Sequence, residues 1–236
     1  MSGLMRSNSG SKASSDCTIV CAIGAVAAPI VWIAGLWIGL ALNAQAADLD
    51  VGKILKGVED HYNRISTLEV HFTESMTQQG RKRTESGELF LLKPGRMRWQ
   101  YSTGKLFISD GKYIYFYDPN ENRAEQMPFK ETDDMRAPLA FLLGRLNFAD
   151  DFKQFVARPD RENTFITATP KSDKLPYNEV TFLVSPDSVM HWLSVKGDGG
   201  SVLEFVFENE KRNPAIAESM FKFSPPPGVE FVKSGQ

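Results

Sequence analysis

The pattern of apolar and polar positions is clearest in residues 87–119, where it predicts four short strands. Turn residues divide this stretch, and they are Lys93-Pro94-Gly95, Ser102-Thr103-Gly104 and Ser109-Asp110-Gly111. In the second strand Met97, Trp99 and Tyr101 alternate with polar residues, and in the fourth strand Ile114 and Phe116 share one face. The opposite face of the fourth strand carries three tyrosines, whose rings favour burial. The pattern therefore predicts a sheet with an apolar side that needs a cover.

Residues 48–64 have the three-to-four spacing of an amphipathic helix. Asp48 or Asp50 can cap its start, and its apolar stripe consists of Val51, Ile54, Leu55, Val58, Tyr62 and Ile65. From Thr67 the period changes to two, so a strand follows directly. Residues 78–83 are Gln-Gln-Gly-Arg-Lys-Arg, which predicts a solvated hairpin loop.

A second apolar helix is predicted at residues 138–146. Pro138 suits a first helical turn, and one side of the helix carries Leu139, Leu142, Leu143 and Leu146. Strands are predicted around it, at residues 152–157, 164–169, 179–184, 189–196 and 202–208, with a final short strand at Phe221 and Phe223. The count is about ten or eleven antiparallel strands. A sheet that long curls, so it either closes as a barrel or stays partly open with helices covering its concave side.

The N-terminal 46 residues have the layout of a secretory signal peptide. A polar start with Arg6 and Lys12 precedes an uncharged apolar run at residues 17–42, and Ala44-Gln45-Ala46 fits a cleavage site. This predicts a mature chain of one domain, residues 47–236. The run is also long enough to span a bilayer, so an uncleaved anchor is the alternative. Both cysteines, Cys17 and Cys21, lie in this segment, which leaves the mature chain without a thiol.

Composition and motifs argue against catalysis and nucleic-acid binding. The formal charge is −2, which gives no basic excess. The three histidines, His61, His71 and His191, have no metal-ligand spacing, so no metal or cofactor is expected. No nucleophile elbow or glycine-rich phosphate loop occurs in the sequence. What the chain concentrates is apolar and aromatic residues.

The inward apolar residues of the central stretch have two interpretations. They are Leu89, Leu91, Met97, Trp99, Ile114 and Phe116. They form either an ordinary core or the lining of a cavity for an apolar ligand. Alternation by itself favours the core and does not separate the two, because both require apolar side chains on the same face.

Four motifs in order resemble the outer-membrane lipoprotein carrier family, LolA. They are Lys-Pro-Gly-x-x-Arg-Trp at residues 93–99, Ser-Asp-Gly-Lys at 109–112, Tyr-Asp-Pro at 117–119 and Phe-x-Phe-x-Pro-Pro-x-Gly-Val at 221–229. The resemblance covers almost the whole predicted mature chain. It implies an unclosed antiparallel β-barrel with an N-terminal helix and a short helical lid over its concave face. It also implies a monomeric periplasmic chaperone that is not an enzyme.

The resemblance further implies a cargo, partners and roles for residues. Triacylated lipoproteins would pass from an inner-membrane ABC-type lipoprotein-releasing complex to this chain and then to an outer-membrane lipoprotein receptor. The lipid-binding cavity would be lined by the six residues named above, and the lid would present Leu139, Leu142, Leu143 and Leu146. Lys93 matches the basic residue that contacts the lid in the family. The alternative is a membrane-anchored lipid or lipoprotein sensor with the same half-barrel.

Overall fold

A sheet of twelve strands dominates the structure, a computed structural model that describes residues 49–129 and 146–234. The described residues belong to one unit, Ala47–Gln236. The strands are β1 Thr67–Gln78, β2 Arg81–Leu92, β3 Arg96–Tyr101, β4 Leu106–Asp110, β5 Tyr113–Asp118, β6 Arg123–Pro128, β7 Phe152–Asp160, β8 Asn163–Pro170, β9 Tyr177–Val184, β10 Met190–Gly197, β11 Val202–Arg212 and β12 Glu230–Lys233. Helix α1 is Val51–Asn63, and a single turn of helix, α2, is Phe148–Asp151.

The sheet is an open meander. Its order is β12-β6-β5-β4-β3-β2-β1-β11-β10-β9-β8-β7, and every neighbouring pair is antiparallel except β12 with β6. Strand β1 pairs with β2 on one side and β11 on the other, so it joins the two halves of the chain. Strands β7 and β12 are the edges and do not pair with each other among the described residues. The predicted fold, mainly β with an unclosed barrel-like sheet and an N-terminal helix, is confirmed.

Helix α1 covers part of the apolar face of the sheet. Asp50 caps its start, because a side-chain oxygen accepts a hydrogen bond from the backbone N–H of Lys53 at 3.0 Å. Its predicted stripe is turned to the core, with Leu55, Val58 and Tyr62 buried. The Tyr62 hydroxyl donates to Glu210 at 3.1 Å and accepts the backbone N–H of Met190 at 3.0 Å. These bonds fix the helix end to strands β10 and β11.

The core lies on the concave face. Phe72 packs edge-on against Trp99 at a centroid distance of 4.8 Å, and Trp99 packs against Phe205 at 5.2 Å. The three residues come from β1, β3 and β11, so this cluster spans the junction between the two halves of the sheet.

The C-terminal segment covers part of the convex face. A 3-10 turn at Glu218–Phe221 buries Phe221, and the Met220 carbonyl accepts a hydrogen bond from Arg98 Nη1 at 3.1 Å. Tyr115 and Tyr117 of β5 pack against Phe223, with centroids 5.4 and 6.0 Å apart. The tyrosines on the second face of this strand are therefore covered by the C-terminus.

One strand prediction is wrong, and one strand was missed. Phe221 and Phe223 do not form the last strand, because their rings pack onto the convex face, and the last strand is β12. Strand β6, at Arg123–Pro128, was not predicted because its sequence is mostly polar.

The predicted loop at residues 78–83 is also too long. Only Gln79 and Gly80 form the turn, with φ of 50° and 74°, as a two-residue hairpin of matching twist requires. The basic residues Arg81 to Arg83 consequently belong to strand β2.

Candidate functional site: a cavity on the concave face

An open cavity of about 1030 Å³ lies at the end of the concave face near the β1–β2 hairpin. Its walls come from the six strands β1 to β6 and from the β1–β2 and β3–β4 turns. The residues that line it are Glu74, Met76, Gln78, Gln79, Arg81, Lys82, Arg83, Glu85, Tyr101, Lys105, Phe107, Phe116, Glu125 and Met127. The lining therefore mixes apolar side chains with charges of both signs.

The apolar part of the lining follows from the strand register. Phe107 of β4 lies opposite Phe116 of β5, and residues directly opposite in an antiparallel pair share a face. Met127 of β6 lies opposite Ile114 of β5, on the same face. With Met76 of β1, the two phenylalanines and Met127 make an apolar floor that includes two flexible thioether side chains.

Each acidic residue of the lining has a partner. Tyr101 donates its hydroxyl hydrogen to Glu74 at 2.5 Å, and this pair is buried. Lys105 Nζ lies 3.0 Å from a Glu85 oxygen, and Arg123 Nε donates to Glu125 at 2.8 Å. The carboxylates are thus engaged within the protein.

The six residues predicted to line a lipid cavity share the concave face. Leu89 pairs with Trp99 and Leu91 with Met97, as the alternation required. Phe116 borders the open cavity, whereas Leu89, Leu91, Met97, Trp99 and Ile114 are each at most 6% exposed and belong to the packed core. Their role in lipid binding stays a prediction.

Trp99 carries an unsatisfied polar group. Its indole Nε1 is buried and has no hydrogen-bond partner among residues 49–129 and 146–234. An unpaired buried N–H costs about 1–3 kcal/mol. Trp99 lies in the middle of the concave face, directly opposite Phe107 of the cavity floor.

Lys93 extends from the end of β2 to helix α1. Its Nζ donates to the Tyr62 carbonyl at 2.7 Å, where the negative end of the helix dipole favours a cation. Burial lowers the pKa of the Lys93 ammonium. Its predicted contact with the lid involves residues outside the described part of the chain.

Of the predicted lid, only Leu146 falls among the described residues. It is 2% exposed, and its backbone N–H and carbonyl form hydrogen bonds with the Asn63 side chain at 2.7 and 2.9 Å. Leu139, Leu142 and Leu143 lie outside the described residues.

Sequence reasoning missed Met76, Phe107 and Met127 of the cavity floor. Phe107 lies within a predicted strand, but its inward direction becomes evident only from the register with Trp99 and Phe116. Met127 belongs to the strand that was not predicted.

No cluster of three or more His, Cys, Asp or Glu side chains in residues 49–129 and 146–234 could hold a metal ion. In the same residues no helix combines the length and apolar character needed to cross a membrane.

Comparison with known proteins identifies a family whose model matches this sequence. The family model for the outer membrane lipoprotein carrier protein LolA matches residues 63–224. An outer-membrane lipoprotein carrier protein of Chromobacterium violaceum is 24% identical over 208 residues, which are 86% of this chain and 96% of that protein. Another, of Histophilus somni, is 29% identical over 179 residues, or 74% and 84% of the two chains.

Among the solved structures to which this chain is similar is the crystal structure of a LolA superfamily protein from Nitrosomonas europaea. It is 9% identical, has a TM-score of 0.42 and covers 73% of this chain and 97% of its own. Because the family model matches well over half of the sequence, this chain belongs to the LolA family of outer membrane lipoprotein carrier proteins.

Proposed function

We propose that this protein is a periplasmic chaperone that holds the acyl chains of lipoproteins on its concave face and carries them from the inner to the outer membrane. The observation that carries the proposal is the open cavity of about 1030 Å³ with an apolar floor, set in an unclosed sheet. That volume is at the upper end of the roughly 300–1,000 Å³ typical of ligand pockets. The family is one of carriers rather than enzymes.

A carrier must bind acyl chains strongly without gaining the whole free energy of their removal from water. Removing one sixteen-carbon chain from water is worth on the order of 12 kcal/mol, at roughly 0.8 kcal/mol per methylene. A carrier that realised all of this could not release its cargo. Apolar side chains that must leave the concave face before lipid enters offset part of the gain, so delivery to a receptor with a more apolar site proceeds without a nucleotide.

The segment at residues 138–146 supplies such a cover in this proposal. Leu139, Leu142, Leu143 and Leu146 form the inner side of a helical lid, and Lys93 contacts the lid from the concave side. The five buried residues beside Phe116 become accessible to lipid when the lid moves. Support comes from the predicted apolar stripe of this segment and from the inward position of Lys93 beside Leu91.

The partners follow from the route. The cargo is triacylated lipoprotein, its donor is an inner-membrane ABC-type lipoprotein-releasing complex, and its acceptor is an outer-membrane lipoprotein receptor. Residues 1–46 direct export and are removed, so the carrier starts at Ala47 and is free of the membrane. It acts as a monomer. The names of the Chromobacterium and Histophilus relatives support a lipoprotein carrier.

The test is transfer of a triacylated lipoprotein between donor and acceptor vesicles by the mature chain. Phe116→Glu places a charge on the cavity floor and is expected to abolish transfer, because a carboxylate in contact with acyl chains is unfavourable. Tyr113→Glu, on the convex face of the same strand, is the matched control and keeps transfer. Leu142→Glu tests the lid. Equal transfer by the wild type, Phe116→Glu and Leu142→Glu would contradict the proposal.

The anchored sensor is distinguished by the N-terminus of the protein in its host. Mass spectrometry of the purified protein is expected to give a chain that begins at Ala47 and carries co-purifying lipoprotein. A chain that retains residues 1–46 and carries no lipid would favour the sensor.

A further inference from the structure

Two arginines border the cavity on the concave side of strand β2. Arg83 lies opposite Met76 and Arg81 opposite Gln78 in the β1–β2 register, so both occupy the face that carries Leu89 farther along the strand. Both side chains line the cavity and both are exposed. The mouth of the cavity therefore places two guanidinium groups beside an apolar floor.

Among the basic residues of the lining, Lys82 and Lys105 have ion-pair partners, whereas Arg81 and Arg83 have none within the described residues. Lys105 is paired with Glu85 and Lys82 with Glu204, at 3.0 and 3.4 Å. Glu74 and Glu125 accept hydrogen bonds from Tyr101 and Arg123. Within the described part of the chain, no hydrogen bond or ion pair engages the side chain of either arginine, so the donors of both guanidinium groups at the mouth are open to a ligand.

We propose that this mouth binds the anionic head, a carboxylate or phosphate, of an amphiphile whose hydrocarbon chain lies on the floor formed by Met76, Phe107, Phe116 and Met127. The site extends the proposed function to free anionic lipids, and it rests on that function in so far as the chain occupies the same cavity. A guanidinium presents its donors in a planar fork that matches carboxylate and phosphate oxygens.

An amphiphile fits this site better than a small anion does. Exposed ion pairs contribute only about 0.2–1 kcal/mol each and are screened by salt, so the two arginines alone hold an anion weakly. The cavity beside them supplies the apolar contact that a free anion lacks. Binding therefore requires both parts in one molecule.

The experiment compares two ligands with the same chain, a fluorescent palmitate analogue and its methyl ester, on the mature chain at low and high salt. The wild type is expected to bind the acid about tenfold more tightly than the ester at low salt, because two weak ion pairs sum to about that factor. Arg81→Gln/Arg83→Gln removes this preference and leaves the affinity for the ester unchanged. The control Lys211→Gln/Arg212→Gln removes two positive charges at the far end of β11 and keeps the preference.

The other outcomes contradict the head-group site, the amphiphile or the acyl cavity. If the wild type binds acid and ester equally, or if the arginine variant loses affinity for both alike, the head-group site is wrong while the acyl cavity stands. If inorganic phosphate displaces the acid at equal concentration, the mouth is a site for small anions and the amphiphile is refuted. If neither ligand binds, the acyl cavity of the proposed function fails, and the head-group site fails with it.

Discussion

Gly87 sets how closely strands β2 and β3 approach beneath the cavity, and Gly87→Ala should be strongly destabilising. A Cβ at this position would lie 2.1 Å from the Gln100 carbonyl oxygen and 2.9 Å from the Tyr101 Cα. Ordinary contacts of a Cβ begin at 3.4 Å, and both neighbours are backbone atoms that cannot rotate away. Overpacking typically costs 1–3 kcal/mol, and the strands must also lose ladder hydrogen bonds worth about 1 kcal/mol each. We expect a loss of about 3 kcal/mol.

Urea unfolding of the mature chain measures this loss. With a slope of about 2–3 kcal/mol per molar, the midpoint falls by about 1 M. Gly52→Ala is the matched control, because its nearest new neighbour is Asp50 Oδ1 at 3.4 Å and alanine is the better helix former. Its midpoint should stay unchanged or rise. A fall of less than about 0.3 M for Gly87→Ala would show that the strands adjust freely and would refute the steric argument.

Three further predictions concern α1 and the titration of a buried tyrosine. Lys93→Met should cost about 1–2 kcal/mol and speed amide exchange in α1, because the Tyr62 carbonyl loses a charged donor. Lys93→Arg should retain most of the stability. Equal unfolding midpoints for the wild type and Lys93→Met would contradict this role of Lys93. Asp50→Ala should cost about 1 kcal/mol through loss of the N-cap, again by urea unfolding, and no change would argue against the cap. Burial, followed by the charge of Asp151, raises the pKa of Tyr177 from 10.0 to about 12. The unfolded chain therefore releases this proton at lower pH than the folded chain, and the free energy of unfolding falls as pH rises above 10. Tyr177→Phe should show a shallower fall. Parallel curves of unfolding free energy against pH for the wild type and Tyr177→Phe would refute the assignment.

Alternation predicted the central strands well because one face of each is buried. Met97, Trp99 and Tyr101 lie on the concave face of β3, as their spacing of two requires, and all three are buried. The apolar stripe of α1 was equally informative, since Val58 and Tyr62 pack against the sheet. In both cases a continuous apolar surface on one side of the element gives a regular spacing of apolar residues in the sequence.

Strand β6 escaped prediction because it lies next to the edge strand and lines the cavity mouth. Its concave face carries Glu125 and Met127, so charge and apolar character are mixed on the same side and the alternation is lost. Strand β12 is short and pairs in parallel with β6, a contact that no local pattern encodes. These strands depend on long-range pairing rather than on their own sequence.

The difference between core and cavity is nevertheless encoded along the strands. On the concave face of β1, Phe72 is followed at the next inward position by Glu74, and on β2 the inward position changes from Leu89 through Gly87 to Glu85. A charged side chain on this face needs a partner or contact with water, because its desolvation in an apolar core is costly. Glu74 is buried with the Tyr101 hydroxyl as its partner, whereas Glu85 is partly exposed, so the change to charged residues marks the end of the packed apolar core. A test for alternation alone asks only whether a face is apolar. The position along the strand at which that face becomes charged would have located the mouth of the cavity between Glu85 and the hairpin.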